Sequence, residues 1–142
     1  MIRLTRTVEG PRAADAVFAY LSDFSTTTEW DPGSVRTTRL EGDGGIGTRY
    51  HNVSSFNGRE TELVYEVIAF EPGHLIRLRG NNATVTAVDT ITVEATATGS
   101  RVTYDAQFTF RGIARVAEPF LTAPFRRLAD EAEQGLRRVV SA

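Results

Sequence analysis

Between Val35 and Phe110, short runs of alternating apolar and polar residues are separated by turn signals, and this period of two commits the stretch to antiparallel strands. Asn57-Gly58 is the strongest hairpin signal, because both turn positions require positive φ. Glu71-Pro72-Gly73-His74, Gly80-Asn81-Asn82-Ala83 and Ala97-Thr98-Gly99-Ser100 are the other turn candidates. Two-residue turns then set the register. A turn on Asn57-Gly58 pairs Tyr50 with Tyr65 and Arg49 with Glu66. One on Asn81-Asn82 pairs Ile76 with Ala87 and Leu78 with Val85. One on Thr98-Gly99 pairs Val93 with Tyr104 and Asp89 with Phe108. Apolar residues meet apolar residues in all three hairpins. One face carries Tyr50, Phe56, Leu63, Tyr65, Val67, Ile76, Leu78, Val85, Ala87, Ile91, Val93, Val102, Tyr104, Phe108 and Phe110. The other carries Arg49, Glu62, Glu66, Arg79, Thr84, Thr86, Thr92, Thr103 and Asp105, and is the wet one.

A sheet with one apolar face needs a cover, and the C-terminal segment supplies it. Leu121, Phe125, Leu128, Ala132, Leu136 and Val139 form a helical stripe, with Arg126, Arg127, Asp130, Arg137 and Arg138 off it. Pro119 and Pro124 predict a helical turn, a kink, and a long helix from about residue 124 onward. At the other end, Ile2 to Val8 is a short strand stopped by Gly10-Pro11, and a first helix runs from about Ala13 to Leu21. Thr26-Thr27-Thr28-Glu29 has capping-box spacing and opens a second short helix, which Trp30-Asp31-Pro32 closes. The fold class is therefore α+β: about seven antiparallel strands, two short helices after the first strand, and a long helix at the end.

The chain's 142 residues fit one domain, 1–142, whose core needs neither disulfide nor structural metal. There is no Cys, which excludes thiol catalysis, and no Lys, which excludes Schiff-base chemistry, since all 16 basic residues are Arg. Against 18 acidic residues these leave a net charge of −2, which argues against nucleic acid or an anionic membrane as partner. No apolar run approaches the roughly 18 residues of a membrane span, and Met1 to Arg6 holds no signal-peptide core. A cytoplasmic location is the expectation.

Three segments carry a resemblance: Ala16-Val17-Phe18-Ala19-Tyr20-Leu21-Ser22-Asp23-Phe24, Trp30-Asp31-Pro32-Gly33, and Gly45-Ile46-Gly47-Thr48-Arg49-Tyr50. With Ala87-Val88-Asp89-Thr90-Ile91 and the final amphipathic helix, the chain resembles the polyketide cyclase/dehydrase group of the START/Bet v 1-like (SRPBCC) superfamily over its whole length. That resemblance implies a helix-grip fold, a curved sheet wrapped around the C-terminal helix with a ligand cavity between them. It also implies a small hydrophobic or aromatic partner such as an aromatic polyketide or a lipid, and, for an enzyme, cyclisation or dehydration of a poly-β-keto chain. A non-catalytic carrier or sensor and a protein-interaction module are the alternatives, and a homodimer is an open option.

No cofactor is expected. Gly42-Asp43-Gly44-Gly45-Ile46-Gly47 matches G-x-G-x-x-G, but Thr48 to Val53 reads as a strand, where a nucleotide fingerprint needs a helix N-terminus. His51 and His74 are the only histidines, with His51 on the wet face, so no three-ligand metal cluster forms by spacing. Asp89 stands out because it shares the parity of Val85, Ala87, Ile91 and Val93, which aims its carboxylate at the apolar face. The hairpin register brings His74 opposite it. Asp89 and His74 are the catalytic candidates, and for Asp89 a structural role as a loop cap or ion-pair partner is the somewhat favoured alternative. Trp30, Tyr50, Asn52, Phe56, Tyr65, Tyr104, Phe108, Phe120 and Phe125 join Asp89 as candidate ligand contacts, each also a candidate core residue.

Overall fold

The alternating runs form β2 (Ser34–Glu41), β3 (Arg49–Phe56), β4 (Arg59–Glu71), β5 (Leu75–Asn81), β6 (Val85–Thr96) and β7 (Gly99–Phe110), each antiparallel to the next. This computed structural model describes residues 1–56 and 58–142. The opening strand, β1 (Ile2–Gly10), pairs with β7, so the seven-stranded sheet runs β1-β7-β6-β5-β4-β3-β2. The chain must therefore cross from one sheet edge to the other between β1 and β2. Helix α1 (Ala14–Leu21), a 3-10 turn (Phe24–Thr26) and α2 (Thr27–Trp30) make that crossing. Helix α3 (Ile113–Ser141) then lies against β1 and β7. Register shifts in the β2–β3 and β4–β5 pairings bend the strands and curve the sheet around the helix.

The helical stripe packs as its spacing predicts. Ala132, Leu136 and Val139 are buried, and Leu121, Phe125 and Leu128 are half-buried toward the front of α3. Leu136 sits in the core with Val17, Leu21, Val67, Ile91 and Val102. Off the stripe, Asp130 and Glu133 take Arg6 of β1 at 2.9 Å and 3.4 Å. Gly135 is the contact point of α3 with α2, and a Cβ there would fall on the Trp30 carbonyl oxygen.

Several local expectations need correction. Helix α3 continues through Pro119 and Pro124 without the expected break. Each proline leaves the carbonyl four residues back without a donor, but those carbonyls belong to Arg115 and Phe120, which are exposed to water. The capping box does not form: Thr26 makes no side-chain cap, and Glu29 instead accepts from the Tyr20 hydroxyl at 2.6 Å. The cap lies earlier, where the Asp23 carboxylate accepts from the Ser25 amide.

Of the three hairpins, the first has the expected register, with Tyr50 on Tyr65 and Arg49 on Glu66. Its turn includes Asn57, which lies outside the described residues; Gly58 has φ of 76°. In the second, Asn81 pairs with Thr86 and Ile76 with Ile91, so β5 runs through Gly80 and the loop is longer than two residues. Asn82 is the cause: its side-chain oxygen accepts from the Thr84 and Val85 amides, which builds a wider closed loop. In the third, Thr96 pairs with Gly99 and Val93 with Val102, so the turn is on Ala97-Thr98. Gly99 is needed for packing, since a Cβ there would strike the Gly10 carbonyl oxygen. Both slips are even, by four residues and by two, so the paired strand residues stay on their expected faces. Thr84, expected on the wet face, falls in the loop before β6 and lines the cavity instead.

Candidate functional site

The C-terminal half of α3 fills the space above the sheet and its front half does not. A cavity of about 410 Å³ remains there, between the inner sheet face and the Ala114–Ala132 stretch of the helix. Most of its wall is apolar: Leu4, Leu63, Val85, Ala106 and Phe108 from the sheet, Leu121, Phe125 and Leu128 from α3. Phe125 anchors the helix over it, with its ring centroid 4.6 Å from that of Phe56, 4.5 Å from Phe108 and 5.8 Å from Phe110.

The polar part of the wall is small and asymmetric. Asp89 on β6 pairs across the strands with Leu78 and Ala106, is only 4% exposed, and lines the cavity. Its Oδ1 is buried without a hydrogen-bond partner. Burial, then the charges of Asp31 and Asp105, push its carboxyl up to about 8. At neutral pH most of the population therefore holds a proton there. Asp31, in the bend between α2 and β2, also lines the cavity. Burial raises its carboxyl as well, opposed by the Gly33 amide and the Ser34 hydroxyl, each donating at 3.2 Å. Tyr65 and Tyr104 complete this corner, and their phenols are held well above the usual range by burial and by Asp89 and Asp31. Gly80 shapes it too: opposite Tyr65 on β5, a Cβ would lie 2.7 Å from the Tyr65 ring, so the glycine gives the ring its place.

Beside Asp31 runs a connected hydrogen-bond network. The Asn52 amide donates to Ser34 Oγ at 3.1 Å and Thr37 Oγ1 at 2.9 Å, and its oxygen accepts from Ser54 at 2.6 Å. Thr37 and Thr27 share a 2.6 Å hydrogen bond, and Thr27 donates to the Phe24 carbonyl. Asn52 faces the cavity with both amide hydrogens already committed.

Seven of the expected contacts line this cavity together: Asn52, Phe56, Tyr65, Asp89, Tyr104, Phe108 and Phe125. Four residues do not. Phe120 is 82% exposed on the outer side of α3, which continues as one helix through Pro119. Trp30 is buried behind the wall, edge-on to Tyr104 at 5.6 Å, where it pins α2. Tyr50 is buried beside Phe24 and borders a separate depression with Ser22, Asp23 and Arg39. His74 is exposed at the β4–β5 turn, its Nδ1 3.2 Å from the Val93 carbonyl oxygen, and Leu78 takes the place opposite Asp89. Asp31 is the residue that the sequence reading missed. Its signal was present in Asp31-Pro32-Gly33-Ser34, whose spacing lets the carboxylate accept from the amide two residues on and the hydroxyl three residues on.

The glycine-rich loop leads into β3 at Arg49, with Thr48 Oγ1 accepting from the Gly44 amide at 2.8 Å. Among the described residues no group of three or more His, Asp or Glu side chains is placed to hold a metal. No helix among them is long and apolar enough to cross a membrane.

Comparison with known proteins agrees with this architecture. None of the curated proteins matches the chain in sequence. Among solved structures it is similar to the Zhui aromatase/cyclase from Streptomyces sp. R1128, at 14% identity and TM-score 0.80 over 96% of this chain and 91% of that one. It is equally similar to a START superfamily protein from Mycobacterium smegmatis, at 12% identity and TM-score 0.80 over 97% and 96%. The di-domain aromatase/cyclase BexL of the BE-7585A biosynthetic pathway matches at 13% identity and TM-score 0.75, over 99% of this chain and 50% of that one. At such identities these likenesses establish the shared helix-grip fold. A family model, polyketide cyclase / dehydrase and lipid transport, matches residues 1–141, and the chain belongs to that family.

Proposed function

We propose that the protein binds one small, largely apolar molecule in the cavity between the sheet and α3. The observation that carries this is a void of about 410 Å³, apolar over most of its wall, with the buried Asp89 in its lining. A filled interior would instead have favoured a protein-interaction module, and sites for small molecules have this size and this sparse polarity. The family description makes an aromatic polyketide or a lipid the natural classes of occupant. Turnover of a poly-β-keto chain is the catalytic form of this reading: the walls hold one folded conformer, and a protonated Asp89 donates to a ketone oxygen. A carrier without turnover is the second reading. It is favoured by the position of His74, which is exposed and leaves Asp89 without the expected basic partner.

The test is titration with the neutral fluorophore N-phenyl-1-naphthylamine. Its emission should rise and saturate at one equivalent per chain. Ala106→Phe, which fills the cavity from β7, should abolish the signal while the fold persists. Equal binding by both proteins would put the probe elsewhere and end the proposal.

A further inference from the structure

We infer that the front of α3 is a docking surface for a lipid bilayer with anionic headgroups, on which the protein rests with Ile113, Val116 and Phe120 in the interface. This goes beyond the cavity reading and stands on different residues. The basis is a helical segment that is apolar on both sides. Between Ile113 and Phe125, the side chains of Ala114, Leu121 and Phe125 line the cavity. Ile113, Val116 and Phe120, spaced by three and four, share the outer side and are 90%, 76% and 82% exposed. Only Arg115, Glu118 and Thr122 bring polar side chains into this stretch. A helix that is apolar all round is ordinarily covered on every side, and here the outer side meets solvent.

The charges around the stripe select what covers it. Arg111 and Arg115 flank Ile113, and Arg126 and Arg127 follow Phe120 within two turns; all four are exposed. Arg127 is seven residues beyond Phe120 and so lies on the same side of the helix. Glu118 is the one acid between Arg111 and Arg127, and the Met1 ammonium already pairs with it at 2.8 Å. Acids resume at Asp130 and Glu131, where the patch ends. The net charge of −2 for the whole chain therefore conceals one cationic, apolar end. Arginines beside apolar side chains suit a headgroup layer, since their stems lie along the apolar surface while the guanidinium groups reach phosphate.

A protein partner fits less well. The three side chains expose roughly 400 Å² between them, about half of the ~800 Å² that each side of a stable protein pair buries. A second copy would also set these arginines against their own kind. The stripe is a convex ridge, and a fluid bilayer accepts a ridge without offering a matching groove. Docked this way, the roof of the cavity lies against the bilayer.

Co-sedimentation with unilamellar vesicles tests this, using phosphatidylcholine alone and an equal mixture of phosphatidylcholine and phosphatidylglycerol. The protein should pellet with the mixed vesicles, be released as salt is raised, and bind phosphatidylcholine alone at least about tenfold more weakly. Phe120→Asp and Ile113→Asp should each lose at least about tenfold in vesicle affinity without lowering the urea midpoint, because both side chains are exposed. Arg127→Ala should lose about fivefold. Phe120→Asp should still take N-phenyl-1-naphthylamine, and Ala106→Phe should still pellet with vesicles, so either reading can fail without the other. Mixed vesicles that leave the protein in the supernatant overturn the inference, as do mixed vesicles that hold both aspartate variants as tightly as wild type. A dimer on size exclusion that either variant dissociates overturns it too, because a second copy would then cover the stripe.

Discussion

Asp89→Asn should change how stability depends on pH, with a sign that follows from the site. In the folded chain the Asp89 carboxyl is pushed up to about 8, against an ordinary value of 3.8, because burial and the neighbouring acids disfavour its charge. Between those values the native state holds a proton that the unfolded state has released. Stability from this group is fully present below pH 3.8 and declines as pH rises toward 8. The limiting slope is about 1.4 kcal/mol per pH unit for one proton. Asparagine is nearly isosteric and does not titrate, so the variant lacks this slope. Urea unfolding of both proteins at pH 5, 6.5 and 8 isolates it, since every other titrating group is common to the two. The difference in unfolding free energy should move in the variant's favour by up to about 4 kcal/mol across those three units. Parallel curves would refute the placement of an unpartnered carboxyl in a dry wall.

Other substitutions test the packing that makes the cavity. Gly135→Ala should gain about 1 kcal/mol from helix propensity alone, yet here it should destabilise by more than that, because its Cβ meets the Trp30 carbonyl; a melting temperature that rises would contradict the α2–α3 contact. Leu136→Ala, at a position with 0% exposure, should cost about 2–5 kcal/mol, whereas Arg127→Ala should stay within roughly ±0.5 kcal/mol; equal denaturation midpoints would mean that the helical stripe is misassigned. Asn52→Ala leaves Ser34, Thr37 and Ser54 short of partners and should cost about 1–3 kcal/mol, with no loss if water replaces the amide freely.

The faces of the sheet were legible because period-two patterning survives even errors of register. Ile76 meets Ile91 where Ala87 was expected, and Val93 meets Val102 where Tyr104 was expected, yet each still faces the core. Asp89 could be picked out for the same reason: an acid with the parity of valines is conspicuous in the sequence. Asp31 and the Ser34–Asn52–Thr37 network were not, since their contacts join α2, β2 and β3 through side chains that look like ordinary turn residues. Phe120 and Tyr50 were misplaced for a different reason. Hydrophobicity identifies a residue that can line a cavity, but the path of α3 past its prolines and the packing of Phe24 on Tyr50 decide whether it does.

The central claim is that the space beneath the front half of α3 is a binding site, and native mass spectrometry of the protein purified from its own host tests it most directly. Wild type and Ala106→Phe would be prepared side by side and sprayed under conditions that keep weak complexes intact. The wild-type chain should carry the mass of one small molecule, released on collisional activation, and the filled variant should appear bare. A bare wild-type chain, or the same adduct on both proteins, would contradict the account.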